Sequence, residues 1–216
     1  MLGLHPRSWI PILMLLLCGA TPAGATVIEV FTAPFKGDPI EVRLTFDDRG
    51  AGPGEVWIGL EIVPDFGGDL RGLFLNIADD SLLAGLEIDG PYVTNVEKGD
   101  VRDAGNGTNL NGRGSPCPCD VGIQLGSPGR GSDDVASTYV IVSHPDFELD
   151  LSMFRDQLVG VRVMAVGNGG GHNGSTKTIA LIPVPEPQTA SLMSLGLIAI
   201  ASLLGRRARA AARTGS

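Results

Sequence analysis

Aromatic side chains are scarce in this 216-residue chain: two Trp, two Tyr and seven Phe. Trp9 sits in an apolar N-terminal run, so Trp57 is the only tryptophan beyond it. So few rings leave little to line a deep sugar cleft. Histidine is scarcer still, with His144 and His172 alone after His5. A Ser or Cys nucleophile needs a histidine and an orienting acid nearby, and the G-x-S-x-G turn is absent. The chain is therefore read as non-enzymatic. Basic residues are few and scattered: residues 26–183 hold 11 against 23 acidic ones, a net charge of −12. Such a surface repels phosphate backbones, which excludes nucleic acid as a partner. Cysteine is limited to Cys18, Cys117 and Cys119. That is too few for a closed zinc site, and Cys-x-Cys is not the redox spacing Cys-x-x-Cys. Long helical periodicity is missing as well. One short helix is expected in "DLSMFRDQ", with Asp150 as N-cap and Leu151 and Phe154 facing inward.

What is present begins with the two ends. Residues 1–25 read as a secretory signal: Arg7, the apolar "WIPILMLLLCGA", then a small-x-small cleavage site, Ala23-Gly24-Ala25. The alternatives are an uncleaved anchor and a lipoprotein at Cys18. The run is short for an anchor, and Leu17 is larger than the residue that precedes a lipidated cysteine. Export by the Sec machinery implies an oxidising compartment, where Cys117 and Cys119 pair with each other, stay free or bridge two molecules.

Residues 26–183 alternate with period two, the strand signal. In "IEVRLTF" Ile40, Val42, Leu44 and Phe46 share a face; in "EVWIGLEIV" Val56, Ile58, Leu60 and Ile62 do. "LRGLFLNI" is apolar almost throughout, as a strand covered on both faces would be. "CDVGIQL", "STYVIV", "VGVRVMAV" and "TKTIALI" add four strands, and "TVIEVFT" and "YVTNVE" are weaker ones. Gly, 31 residues in all, clusters in the loops between them, as turns with positive φ require. The prediction is an all-β ectodomain: an antiparallel β-sandwich of seven to nine strands, jelly-roll or Ig-like, with a closed barrel as the alternative.

Acidic pairs stand at strand ends. Asp47, Asp48 and Asp134 are the candidate ligands for calcium, which takes several oxygen ligands from loop aspartates and backbone carbonyls. The competing reading is that Asp favours turns, and no EF-hand spacing occurs. "GNGGGHNGSTK" lacks the Lys directly after the last Gly that a phosphate loop needs, so it reads as a hairpin loop with His172 exposed. Asn106-Gly-Thr and Asn173-Gly-Ser match the glycosylation pattern.

The C-terminus carries the most information. Val184-Pro185-Glu186-Pro187 is followed by uncharged residues 188–205 and then Arg206, Arg207, Arg209 and Arg213. The uncharged run, as a helix, is close to the bilayer's hydrocarbon thickness, and the arginines act as a stop-transfer signal on the cytoplasmic side. Prolines 183, 185 and 187 keep the preceding peptide extended and accessible to a protease. This order resembles the PEP-CTERM sorting signal of Gram-negative bacteria. The resemblance implies recognition of residues 184–187 by exosortase, an integral-membrane cysteine protease, with Arg206 and Arg207 as the stop. The run "AAARTGS" beyond the arginines is a departure. "GDLRGLFLNI", "GNGTNLNG", "DVGIQLGSPG" and "LVGVRVMAVG" are similar to an ectodomain type that accompanies this tail. The resulting layout is signal 1–25, ectodomain 26–183, motif 184–187, spanning helix 188–205 and tail 206–216.

These features lead to an exported protein of the cell envelope or exopolysaccharide matrix with a structural or adhesive role. The second reading is a carbohydrate- or calcium-binding module, with Trp57 or Tyr92 stacking on sugars. A third is a secreted glycoside hydrolase, since a carboxylate pair cannot be read from spacing.

Overall fold

The computed structural model describes residues 27–63, 67–111, 118–127, 134–167 and 174–184. The segment read from sequence as a signal, with Ala23 and Ala25, Cys117, Pro185 to Pro187, the segment read as membrane-spanning and the arginine-rich end lie outside them. Among the described residues no helix is long and apolar enough to cross a membrane.

Period-two alternation does become strand. In β3 (Val42–Asp47) Val42, Leu44 and Phe46 are buried, while Arg43, Thr45 and Asp47 point outward. The same holds for β1 (Val27–Phe31), β4 (Val56–Ile62) and β9 (Ser137–Ser143). With β6 (Glu87–Asp89) these strands form one antiparallel sheet in the order β1-β3-β4-β9-β6. The second sheet runs β2-β11-β10-β5-β8-β7. It comprises β2 (Ala33–Lys36), β5 (Asp69–Leu75), β7 (Val93–Val101), β8 (Cys119–Leu125), β10 (Leu158–Val166) and β11 (Gly174–Leu181). Every pairing in both sheets is antiparallel.

One apolar core joins the two sheets, as in a β-sandwich. Leu44, Phe46, Ile58 and Leu60 come from the first sheet, Leu73, Ile123 and Val161 from the second. Phe154 closes one end, its ring 5.3 Å from that of Phe46. Each such side chain, taken from water, contributes about 1.5–3 kcal/mol before ordering costs are set against it. The chain passes between sheets at Thr32, between β1 and β2. Its buried amide donates to the Val42 carbonyl at 3.0 Å, and its hydroxyl accepts from the Val42 amide at 3.3 Å.

Eleven strands are present among the described residues, two more than the upper end of the sequence expectation. The additions, β2 and β6, are edge strands. β2 tolerates Pro34 because an edge strand needs no amide donor on its free side. The helix expected in residues 150–157 shortens to a 3₁₀ turn, Leu151–Met153. Asp150 does cap it, accepting from the Ser152 amide at 2.7 Å. The turn is capped at Phe154, and the chain leaves the right-handed region at Asp156, φ 59, before β10 begins.

All seven residues of β5 are buried, because its outer face is also covered. Residues 102–111 fold back over the second sheet and set Ala104 and Leu110 against Phe74, Val101 and Cys119. Register puts Gly160 of β10, Phe74 of β5 and Gly122 of β8 in one row. A Cβ on Gly122 would lie 2.5 Å from Val101 Cγ1 and 3.1 Å from Ala104 Cβ; one on Gly160 would overlap Leu110. The missing side chains make the trough in which the loop sits.

Candidate functional site

The outer face of the first sheet carries an open groove of about 460 Å³. Its floor is built by register. Gly59 of β4 lies between Thr45 of β3 and Tyr139 of β9. Trp57, two residues earlier on the same face, lays its indole over Gly59, where a Cβ would meet the ring carbons. The Tyr139 ring stacks beside it, centroids 6.0 Å apart and planes inclined by 27°. Pro91 and Tyr92, from the turn between β6 and β7, form one wall. Tyr92 and Tyr139 are both well exposed, at 40% and 39%.

The other wall is polar. Arg43 and Glu61 stand opposite each other on β3 and β4 and form an ion pair. This hydrogen bond and the Glu61 charge hold the exposed Arg43 guanidinium above its ordinary pKa, so it stays protonated. Glu29 of β1 faces Thr45 and adds a second carboxylate. Ser137 and Thr138 line the groove on β9; the Thr138 side chain alternates inward, and its buried hydroxyl has no hydrogen-bond partner among the described residues. An aromatic ledge beside fixed acceptors and a guanidinium is chemically suited to a polyhydroxylated ring: its C–H face stacks on the indole while its hydroxyls bond the rim.

The sequence candidates are placed as follows. Trp57 and Tyr92, far apart in the chain, share this groove. Asp47 ends β3 and accepts from the Arg49 amide at 2.7 Å, a turn contact. Asp48 is half-buried, and its Oδ1 has no hydrogen-bond partner among the described residues. Asp134 lies at the other end of β4: Asp47 pairs with Trp57, whereas the Ile62 amide bonds to Ala136. At about 3.3 Å per residue that separates Asp134 from Asp47 by roughly 15 Å, so the three aspartates do not converge. Among the described residues no group of three or more His, Cys, Asp or Glu is arranged to hold a metal. Asp79 instead caps the 3₁₀ turn Asp80–Gly85, accepting from the Ser81 amide and hydroxyl, which lowers its pKa. Cys119 is disulfide-bonded, and its partner lies outside the described residues. Asn106 is exposed at φ 50, its amide donating to Gln124 Oε1 at 3.1 Å. His144 packs against Phe147, ring centroids 4.9 Å apart, away from the groove. Val184 is exposed just beyond β11.

Sequence reasoning missed Tyr139, Arg43 and Glu61. The usable signal was the outward position of an aromatic residue in "STYVIV", at odds with the polar residues expected on a solvated face.

No protein-family model, curated protein or solved structure matches this chain.

Proposed function

We propose that this chain is an exported, non-enzymatic module of the cell surface or exopolysaccharide matrix that binds polysaccharide through the outer face of its first sheet. The observation that carries this reading is the Trp57 indole laid over Gly59 beside Tyr139, opposite Tyr92. Monomeric soluble proteins seldom leave a stacked aromatic ledge open to water without a use for it. Glu29, Arg43 and Glu61 around it are polar groups that orient a sugar rather than an apolar ligand. Surface association follows from the tail: a PEP-CTERM-like signal cut by exosortase would deliver the ectodomain to the matrix after Sec export. Within the sandwich class, a jelly-roll-like path is the finer assignment. It is supported by strands that repeatedly change sheet between β4 and β10, with sequential pairing only in β3-β4, β7-β8 and β10-β11.

The test is affinity electrophoresis and calorimetry of the full chain against neutral and acidic polysaccharides, with and without calcium. Retarded migration and saturable heat are expected for at least one polymer. Trp57→Ala is expected to weaken binding at least tenfold, about 1.4 kcal/mol. Absence of heat with every polymer, or equal binding by Trp57→Ala, overturns the reading.

A further inference from the structure

The second sheet carries a charge pattern at odds with the rest of the ectodomain. Lys36, Lys177 and Arg162 stand in one line across β2, β11 and β10, each directly opposite the next in register. At about 4.8 Å between strands, three cations occupy roughly 10 Å of an otherwise acidic molecule. Like charges placed directly opposite destabilise a sheet, so this row costs stability unless something offsets it.

Among the described residues nothing neutralises it. Lys177 is buried, and its Nζ donates to Asn109 Oδ1 at 2.7 Å and to the Asn111 carbonyl, both neutral acceptors. An ammonium has three donors, so one is left over among the described residues. Arg162 makes no ion pair or side-chain hydrogen bond among the described residues, and neither does Lys36. Two described neighbouring carboxylates are turned elsewhere. Asp69, opposite Met164, pairs with Arg71 at 2.5 Å and accepts from the Val135 amide. The Asp38 carboxylate lies against Gly174, three residues from Lys177 and on the other face of β11. Thr108 packs its Cγ2 methyl over Gly72, beside Arg162 Cβ, at the margin of the row.

We propose that Lys36, Arg162 and Lys177 form a binding site for an oxyanion, with Asn109 and Thr108 at its edge. The ligand class is a carboxylate, sulfate or phosphate group, whether a free inorganic ion or an acidic substituent on a sugar. This site is on the opposite face from the aromatic groove and stands whether or not that groove binds sugar. Burial and the two neighbouring cations already hold the Lys177 pKa down to about 8, the electrostatic strain an anion would relieve.

The experiment is thermal unfolding and calorimetry of the full chain with sodium sulfate, sodium phosphate, trigalacturonate or a neutral trisaccharide, each against chloride at equal ionic strength. At tenfold excess over Kd an oxyanion is expected to raise Tm by about 4 °C. The neutral sugar should leave the Lys36→Gln/Arg162→Gln difference unchanged. That double variant should unfold in chloride at or above the wild-type temperature, because repulsion has been removed, and should lose the oxyanion response. Should it not fold, Arg162→Gln alone is expected to weaken oxyanion binding at least fivefold, with Arg162→Lys restoring most of it. A response to sulfate and phosphate but not trigalacturonate supports the site and assigns it to inorganic ions; the converse assigns it to sugar acids. No response to any oxyanion, or equal responses in wild type and variant, overturns the proposal.

Discussion

Lys177 offers the sharpest test of the electrostatics. Its side chain is 6% exposed, and its pKa falls from 10.5 to about 8, first through burial and then through Arg162 and Lys36. The folded state therefore binds this proton less tightly than the unfolded chain. Below about pH 8 both states carry it, and the fold bears the full penalty. Between about pH 8 and 10.5 the folded state releases it first, the unfolded state holds more protons, and stability rises with pH. Each tenfold change in proton affinity is worth about 1.4 kcal/mol, which sets a ceiling of about 3 kcal/mol on the gain. Deprotonation breaks neither hydrogen bond, since a neutral amine keeps two N–H donors for Asn109 and Asn111. The perturbation is Lys177→Met, which keeps an unbranched stem without the charge. Urea unfolding from pH 7 to 10.5 in chloride buffer, wild type beside variant, separates Lys177 from the other groups that titrate there. Wild type is expected to gain about 1–3 kcal/mol relative to Lys177→Met across that range. Parallel curves, or a wild type that loses ground as pH rises, would refute the assignment of a strained, buried cation.

Gly122→Ala puts a methyl 2.5 Å from Val101 Cγ1 and 3.1 Å from Ala104 Cβ. It is expected to cost about 1–3 kcal/mol by overpacking, read as a lower Tm, and an unchanged Tm would show that the loop over β8 is not seated there. Asp69→Asn leaves the buried Arg71 without this carboxylate while keeping an acceptor for the Val135 amide. Burial, with a smaller push from Asp134, raises the Asp69 pKa despite the Val135 amide and Arg71. Removing one partner is nevertheless expected to cost about 3 kcal/mol in denaturant titration, and a neutral result would mean that Arg71 does not depend on this pair. Glu186→Ala should leave the C-terminal segment attached, seen as a larger species in the membrane fraction; normal processing would count against recognition of residues 184–187.

Strands with one face on the core were legible because alternation is a local property. β3 and β4 show it residue by residue: Leu44 and Phe46 inward, Arg43 and Thr45 outward. β2 and β6 were not legible. β2 is four residues around Pro34 with no alternation, and β6 is three residues that pair, among the described residues, with β9. Their neighbours, not their own sequences, make them strands. The apolar run of β5 announced two covered faces without saying what covered the second. "GNGTNLNG" reads as an ordinary polar loop, and its Thr108 and Leu110 acquire a role only once they lie over Gly72 and Gly160. The groove is similar. Scarcity of aromatics picked out Trp57 and Tyr92, but register alone sets Tyr139 opposite Gly59 and Arg43 opposite Glu61.

Glycine within a strand weakens it, by roughly 0.5–1 kcal/mol relative to alanine, unless something packs where the side chain would be. Both outer faces of this sandwich use that vacancy, with different results. On the second sheet, Gly72, Gly122 and Gly160 are covered by Thr108, Ala104 and Leu110, so a polypeptide segment fills the space and seals β5. On the first sheet, the cover over Gly59 is a single indole from the same strand. A flat ring satisfies the strand on its inner side and still lines an open groove on its outer side. That difference, one ring instead of a folded loop, is why the first sheet and not the second presents the surface on which a sugar could stack.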